Sequence, residues 1–213
     1  MNHDFRCSWQ HPTMMTFATV KDPKVLKKQE LILATALRLF TDKGYFNTSI
    51  HDLQREAGIS IGAIYHHFRS KEAIAAELFH RLLQAIDAQL EQIQDCHHSA
   101  HDRCRAALGW LMSLSHTSPA TMQFVLYARH REFLPDEPPI CSSVPFIRLK
   151  RMIADGMDNG EIRPMDLNVA SAALLGGGIR LIQLQLDGVL DGPASDHLDL
   201  IWDCAWRSVA MEN

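Results

Sequence analysis

The sequence predicts an all-α protein with an N-terminal three-helix domain and a larger helical C-terminal domain. Apolar residues recur every three or four positions over most of the 213 residues, which is typical of the buried face of a helix. Glycines follow several of these stretches, at positions where a left-handed residue can end a helix. No stretch alternates apolar and polar residues as a half-buried strand would. The predicted domains are residues 21–71 and 72–213, after a flexible arm over residues 1–20.

The N-terminal domain begins with a helix that is predicted over residues 23–43. An apolar stripe from Ile32 to Phe40 faces the two short helices that follow. Gly44 is expected to end this first helix because a glycine tolerates the left-handed conformation.

A helix-turn-helix follows. Ser49 and Asp52 form a variant capping box at the start of the second helix, which Gly58 ends. Ser60 then caps a third, shorter helix. Two short helices joined by a tight turn with a glycine place their second member in the DNA major groove.

The outward face of the third helix suits DNA. Gly62 and Ala63 let the helix approach a phosphate backbone closely, and Tyr65 and His66 can reach phosphates. Ile61 is suited to contact a thymine methyl group. In the alternative interpretation, Tyr65 packs at the edge of the core and His66 is an ordinary surface residue. The predicted DNA-binding residues are Thr48, Ser49, Ser60, Ile61, Gly62, Ala63, Tyr65, His66 and Lys71.

Charge is distributed unevenly along the chain. The formal net charge is −4, but residues 21–71 hold nine Lys or Arg and five Asp or Glu, a net of +4. The remainder therefore carries −8. A basic N-terminal domain on an acidic protein supports an interaction with phosphates, although solvated charges alone give the same count.

The run from Ile32 to Phe79 resembles the DNA-binding domain of the tetracycline-repressor (TetR) family of bacterial transcription regulators. The matching positions are Ile32, Leu33, Ala36, Leu39, Phe40, Gly44, Tyr45, Thr48, Ser49, Leu53, Ala57, Gly58, Ile59, Ser60, Gly62, Ile64, Tyr65, His67, Phe68, Ser70, Lys71 and Glu72. The resemblance implies a homodimer that binds a pseudo-palindromic operator in double-stranded DNA, usually as a repressor. It also implies a small-molecule effector in the C-terminal domain.

The C-terminal domain is predicted to consist of further helices. They are expected from Lys71 onward, over residues 102–116, from Ser118-Pro119 onward, and over residues 142–159, 166–186 and 196–211. The resemblance implies that the last two pair with their copies in a second subunit. The last helix could equally pack on the core of its own subunit.

Three consecutive glycines, Gly176 to Gly178, lie within the predicted helix over residues 166–186. Each costs about 1 kcal/mol relative to alanine, so a gain must offset them. The favoured interpretation is close approach of another helix at the dimer interface. A kink or a bound ligand are the alternatives.

Candidate effector contacts are apolar or aromatic residues with two polar neighbours. They are Trp110, Met112, Met122, Tyr127, His130, Arg131 and Phe146. Methionines among aromatic residues suit an adaptable apolar ligand, although each of these residues is more typical of a plain core position. No cofactor is expected.

A metal or redox sensor with the same DNA-binding domain is the alternative function. Cys96, His97, His101 and Cys104 lie close in the sequence. If this stretch is helical, His97, His101 and Cys104 share one face at a spacing that can hold a transition metal. A polar turn between helices is the competing interpretation, and no metal site is predicted.

Other function classes lack support. The sequence has no glycine-rich phosphate loop, nucleophile elbow or zinc-binding His pair, so an enzyme is not expected. A helical adaptor that binds only protein would not bind DNA. No stretch approaches the roughly 20 apolar residues that span a bilayer, and no signal peptide is evident, so a cytoplasmic protein with free thiols is expected.

Overall fold

The computed structural model describes residues 23–211, with side chains from Lys28 onward, so the predicted arm over residues 1–20 lies outside the described residues. The chain forms two compact units. The first, here the head unit, contains described residues 23–85 and 120–140. The second, the body unit, contains residues 86–119 and 141–211. These units do not follow the predicted boundary after residue 71, and the functional domain division stays a prediction.

The described residues form helices and no named strand, as predicted. In chain order the α-helices are α1 (Pro23–Asp42), α2 (Ile50–Ala57), α3 (Ile61–His67), α4 (Lys71–Cys96), α5 (Ala100–Thr117), α6 (Pro119–Tyr127), α7 (His130–Phe133), α8 (Val144–Asp158), α9 (Leu167–Leu186) and α10 (Leu198–Arg207). Short 3-10 helices cover Ile140–Ser142 and Ala194–His197. The predicted helices agree within a few residues, whereas α7 was not predicted as a separate helix.

The core of the head unit contains the predicted apolar stripe of α1. Ile32, Leu33 and Ala36 on this stripe are fully buried, as are Leu53 of α2 and Ile64 of α3. Burial of each isoleucine or leucine side chain contributes about 1.5–3 kcal/mol. The helix-turn-helix is therefore held on α1 by apolar packing.

Helix α5 is the central helix of the body unit and packs on α8, α9 and α10. Its long buried stretch includes Leu108 and Met112, which have no exposed surface. Most of its length is shielded from water by the neighbouring helices, which explains why its apolar residues extend around more than one face.

The three glycines of α9 have different surroundings, and two of them show the predicted close approach of another helix, within the same subunit. A Cβ on Gly178 would collide with the side chain of Leu108, and one on Gly177 would lie 2.7 Å from Ile201 Cδ1. These two glycines therefore allow α5 and α10 of the same subunit to approach. A Cβ on Gly176 would meet nothing within 4 Å.

Helix α10 ends at Arg207, earlier than predicted, because the residues after it are held by hydrogen bonds to another part of the chain. The backbone N–H of Met211 donates to the Glu161 carbonyl at 3.0 Å. The Glu161 carboxylate accepts from the backbone N–H groups of Ala100 (2.9 Å) and His101 (3.2 Å), which would otherwise lack partners at the start of α5. One residue thus connects the start of α5 to the end of the described chain.

Among the described residues, α9 alone is long and apolar enough to cross a membrane by length and composition. The mean hydropathy of its most apolar window is 1.3, which differs from the expectation that no stretch approaches this limit. One such helix is weak evidence, because a core helix of a soluble protein passes the same test. Helix α9 packs on α5, α8 and α10, but only 28% of that window is buried within the described chain.

Candidate nucleic-acid interface

Reciprocal hydrogen bonds fix the start of α2, as predicted. The Asp52 backbone N–H donates to Ser49 Oγ at 3.1 Å, and the Ser49 backbone N–H donates to Asp52 Oδ2 at 3.0 Å. The Ser49 hydroxyl also donates to Asp52 Oδ2, at 2.6 Å. These bonds from Ser49 lower the pKa of Asp52 to about 2, so the capping carboxylate is charged at neutral pH. The Ser49 side chain is engaged within the domain.

The turn between α2 and α3 has the predicted geometry. Gly58 adopts φ +65°, in the left-handed region, and ends α2. Ser60 Oγ accepts a hydrogen bond from the Ala63 backbone N–H at 3.2 Å and thereby caps α3. No described residue accepts a hydrogen bond from the Ser60 hydroxyl, so this donor is available on an exposed surface.

Helix α3 presents one face to solvent. Ile64 is its one fully buried residue, with no exposed surface. Tyr65 is 52% exposed, and Gly62 and His66 are also exposed. Ile61 and Ala63 are half-buried beside this face. The structure thus places six of the predicted DNA-binding residues, Ser60 to Ala63, Tyr65 and His66, on or beside one accessible helix.

Gly62 is not required by packing within the chain. A Cβ at this position would meet nothing within 4 Å. Its backbone is not in the left-handed region, so it has no conformational reason to be glycine either. Neither packing within the described chain nor a left-handed backbone angle therefore requires glycine at position 62.

Two other predicted contacts, Thr48 and Lys71, point into the domain. Thr48 is 2% exposed, and its hydroxyl donates to the carbonyls of Leu39 (3.2 Å) and Gly44 (2.9 Å). Lys71 Nζ donates to the carbonyls of Tyr45 and Thr48, both at 2.9 Å, and burial lowers the pKa of this lysine. Both side chains therefore stabilise the turn before α2. Their contact with DNA stays a prediction.

Exposed arginines flank the helix-turn-helix and were not among the predicted contacts. Arg69 lies two residues beyond the end of α3 and is exposed. Arg55 of α2 has a side chain that is 72% exposed, although it also pairs with Asp52. Helix α3 itself contains no acidic residue. The position of these two arginines beside the motif was the signal from which they could have been predicted as DNA contacts, since cations near a recognition helix attract phosphates.

The predicted effector contacts are distributed over both units. Trp110, Met112 and Phe146 belong to the body unit, whereas Met122, Tyr127, His130 and Arg131 belong to the head unit. Met112 and Met122 are buried core residues, with 0% and 1% of their surface exposed. Tyr127 and Arg131 are exposed. The effector site therefore stays a prediction.

The structure separates the residues of the metal hypothesis. Cys96 is the last residue of α4, and Ser99 caps α5, so the stretch from His97 to Cys104 is not one continuous helix. His101 Nε2 accepts a hydrogen bond from Trp202 Nε1 at 2.9 Å. Burial raises the pKa of the Cys104 thiol to about 12. Within the described part of the chain, no three His, Cys, Asp or Glu side chains form a group that could hold a metal ion.

Comparison with known proteins assigns the helix-turn-helix to a family. Residues 32–78 match the family model described as bacterial regulatory proteins, tetR family. The chain is similar to the HTH-type transcriptional regulator YerO of Bacillus subtilis (strain 168), which is described as uncharacterized, with 50% identity over 48 residues. That match spans 22% of this chain and 17% of the relative.

Two solved structures share the fold over most of the chain. A TetR family transcription regulator from Marinobacter aquaeolei VT8 has a TM-score of 0.72 and 19% identity, covering 87% of this chain and 96% of that one. The transcriptional regulator FadR from Bacillus subtilis, in complex with stearoyl-CoA, has a TM-score of 0.70 and 16% identity, covering 82% and 96%. These structures establish the fold of the chain.

The N-terminal helices thus define a helix-turn-helix domain with an accessible third helix. Through residues 32–78 the chain matches the tetR family of bacterial regulatory proteins.

Proposed function

We propose that the protein is a homodimeric transcription regulator that binds a pseudo-palindromic operator through α3 and acts as a repressor. The exposed face of α3, with an open space at Gly62, is the observation that carries the proposal. A glycine there allows a phosphate backbone to approach more closely than any other residue would. Two such helices on a two-fold dimer match two half-sites one helical turn apart.

The DNA contacts of this proposal divide into two groups. Ser60, Tyr65 and His66 supply polar groups for phosphates, while Ile61 to Ala63 face the bases and the groove. The remaining predicted contacts, Thr48, Ser49 and Lys71, hold the turn that positions α2. Arg55 and Arg69 add positive charge beside the motif.

Homodimer formation through α9 and α10 is supported by an exposed apolar face. Val169, Ala172 and Gly176 follow one another at spacings of three and four residues on α9, and all are exposed. Leu200 and Cys204 are exposed at a spacing of four on α10. Leu200 is 70% exposed and Val169 is 59% exposed, which is costly for apolar side chains in water. A second copy of the chain would cover this face.

A small apolar molecule is the proposed effector, and a regulator of this kind acts in the cytoplasm. The effector must bind the DNA-competent and DNA-incompetent states with different affinity in order to release the operator. A long-chain acyl-CoA, whose apolar chain is joined to a charged nucleotide group, is the first probe to use beside the free fatty acid, because one structure of the same fold contains stearoyl-CoA.

Fluorescence anisotropy on the DNA just upstream of the gene tests this proposal. We expect tight binding to that duplex, weaker binding to a scrambled duplex, and an affinity that falls steeply as salt rises. His66→Ala should weaken binding, while His116→Ala, at an exposed histidine of the body unit, should not. Absence of binding to any DNA at low salt would disprove the proposal.

The dimer is tested separately by sedimentation analysis. Leu200→Asp should shift the protein toward monomers because it places a charge in the proposed interface. Val189→Asp is the matched control, since Val189 is 67% exposed but lies outside both helices. Equal sedimentation of the two variants and the wild type would argue against this interface.

A further inference from the structure

Residues 120–140, here the α6–α7 segment, belong to the head unit together with the helix-turn-helix. Contacts at both ends attach this segment to the head unit. The ring of Phe124 stacks on Phe40 of α1, with centroids 6.3 Å apart and an interplanar angle of 22°. His80 Nε2 of α4 lies 2.7 Å from Glu137 Oε1. The segment between these anchors is therefore held in a defined position.

Phe133, the last residue of α7, packs on the turn that leads into α2. Its ring stacks on Tyr45, with centroids 4.0 Å apart and an interplanar angle of 17°. It also meets the edge of Phe46 at 6.3 Å. Phe133 itself is 7% exposed. An aromatic side chain from a distant part of the sequence thus fixes the residue that follows Gly44.

Hydrogen bonds connect Tyr45 to the start of α4 and to the turn before α2. Its hydroxyl donates to Glu72 Oε1 at 3.0 Å, at the start of α4. Its carbonyl accepts from Lys71 Nζ, which also donates to the carbonyl of Thr48, the residue before the N-cap of α2. A displacement of the Tyr45 ring would therefore disturb the start of α2, and with it the recognition helix α3.

His130 occupies the interior of this contact. Its ring lies 4.3 Å from Phe79, 5.0 Å from Phe124 and 5.6 Å from Phe133, measured between centroids. Its two ring nitrogens are buried and make no hydrogen bond of normal geometry, although the nearby backbone of Phe124 and Val125 partly offsets the lowering of its pKa by burial. The imidazole is therefore held mainly by ring packing, and this packing supports α7.

We propose that Phe133 is a positioning residue for DNA binding, which acts through Tyr45 to hold the helix-turn-helix in its binding-competent arrangement. The inference rests on the proposed function. Without the Phe133 ring, a smaller fraction of the molecules has the helix-turn-helix in its binding-competent arrangement. The apparent dissociation constant for DNA rises in proportion. Loss of one stacked aromatic pair should weaken the affinity for DNA by about 2- to 13-fold.

The test compares Phe133→Leu with Leu134→Ala in the full-length protein. Leu134 is also 7% exposed and lies next to Phe133, but its aliphatic side chain cannot form an aromatic stack on Tyr45. Both variants should lower the melting temperature because both remove buried apolar contacts. Only Phe133→Leu should weaken operator binding well below that temperature, and Phe133→Tyr, which keeps the ring, should restore it.

Hydrogen exchange of the free protein gives a second readout that needs no DNA. Phe133→Leu should accelerate exchange of backbone amides in residues 44–68, whereas Leu134→Ala should leave them near the wild-type rate. Wild-type affinity and exchange in Phe133→Leu would overturn the inference, as would equal effects of both variants. If the wild type binds no DNA, the proposed function fails, and the exchange comparison still decides whether Phe133 fixes the turn.

Discussion

Replacing Gly62 with alanine tests whether glycine is required at this position for folding or for DNA binding. Within the protein the substitution adds a methyl group to open space, because nothing lies within 4 Å of the new Cβ. Alanine also forms helices better than glycine. The free energy of unfolding should therefore rise, by at most about 1 kcal/mol.

The same methyl group would stand between α3 and the DNA. A displaced helix loses hydrogen bonds to phosphates, and bonds to charged groups contribute about 1.5–3 kcal/mol each. Loss of one such bond corresponds to about 10- to 150-fold in affinity. The variant should thus be more stable than the wild type and bind the operator more weakly.

Gly176→Ala is the matched control, since a Cβ there also meets nothing within 4 Å. Urea denaturation measures stability, and anisotropy at protein concentrations that keep the dimer intact measures affinity. Gly176→Ala should gain stability in the monomer, weaken self-association and keep its affinity for the operator once dimeric. If Gly62→Ala gains stability and binds DNA as tightly as the wild type, the open space at Gly62 has no role in DNA binding, and the reasoning is refuted.

Three further predictions concern residues inside the protein. Lys71→Met should lower the free energy of unfolding by about 1–3 kcal/mol, because it removes the lysine hydrogen bonds to the Tyr45 and Thr48 carbonyls, of which the Tyr45 carbonyl keeps a bond from the Thr48 backbone N–H. The salt dependence of DNA binding should stay unchanged, and a shallower dependence would instead indicate a phosphate contact. Burial lowers the pKa of His130 below its ordinary value of 6.5, so the unfolded chain takes up this proton more readily than the folded one. Stability should therefore decrease as pH falls below 6.5 until the pKa of the folded state is passed, and denaturation curves of His130→Phe should show a weaker decrease. Gly178→Ala should cost about 1–3 kcal/mol by collision with Leu108, and a neutral effect in denaturation would contradict the close approach of α5 and α9.

Local signals in the sequence predicted the helix-turn-helix well. Ser49, Gly58 and Ser60 act through hydrogen bonds and backbone angles within a few residues of themselves. Such interactions depend little on the rest of the chain. The helix boundaries and the exposed face of α3 therefore followed from the sequence.

Interactions between distant residues could not be predicted in this way. A polar side chain beside a recognition helix, such as Thr48 or Lys71, has the same sequence signature whether it binds DNA or a backbone carbonyl. The glycines at 177 and 178 belong to the interior because of where Ile201 and Leu108 lie, which no local pattern encodes.

One local signal was overlooked in the Cys/His stretch. Ser99 accepts a hydrogen bond from the backbone N–H of Asp102 and starts α5, which breaks the helix that the metal hypothesis required. A serine followed three residues later by an acidic residue is the same signature that correctly predicted α2.

The head unit is assembled from two stretches of chain, and this affects the order in which the protein can fold. Phe124 and Phe133 contribute to its packing, but residues 86–119 of the body unit separate them from the first stretch. During synthesis, the helix-turn-helix leaves the ribosome well before the segment that completes its surroundings. A fragment that ends at residue 85 would lack the Phe133 ring over Tyr45, so an excised DNA-binding domain would differ from the same residues in the intact protein.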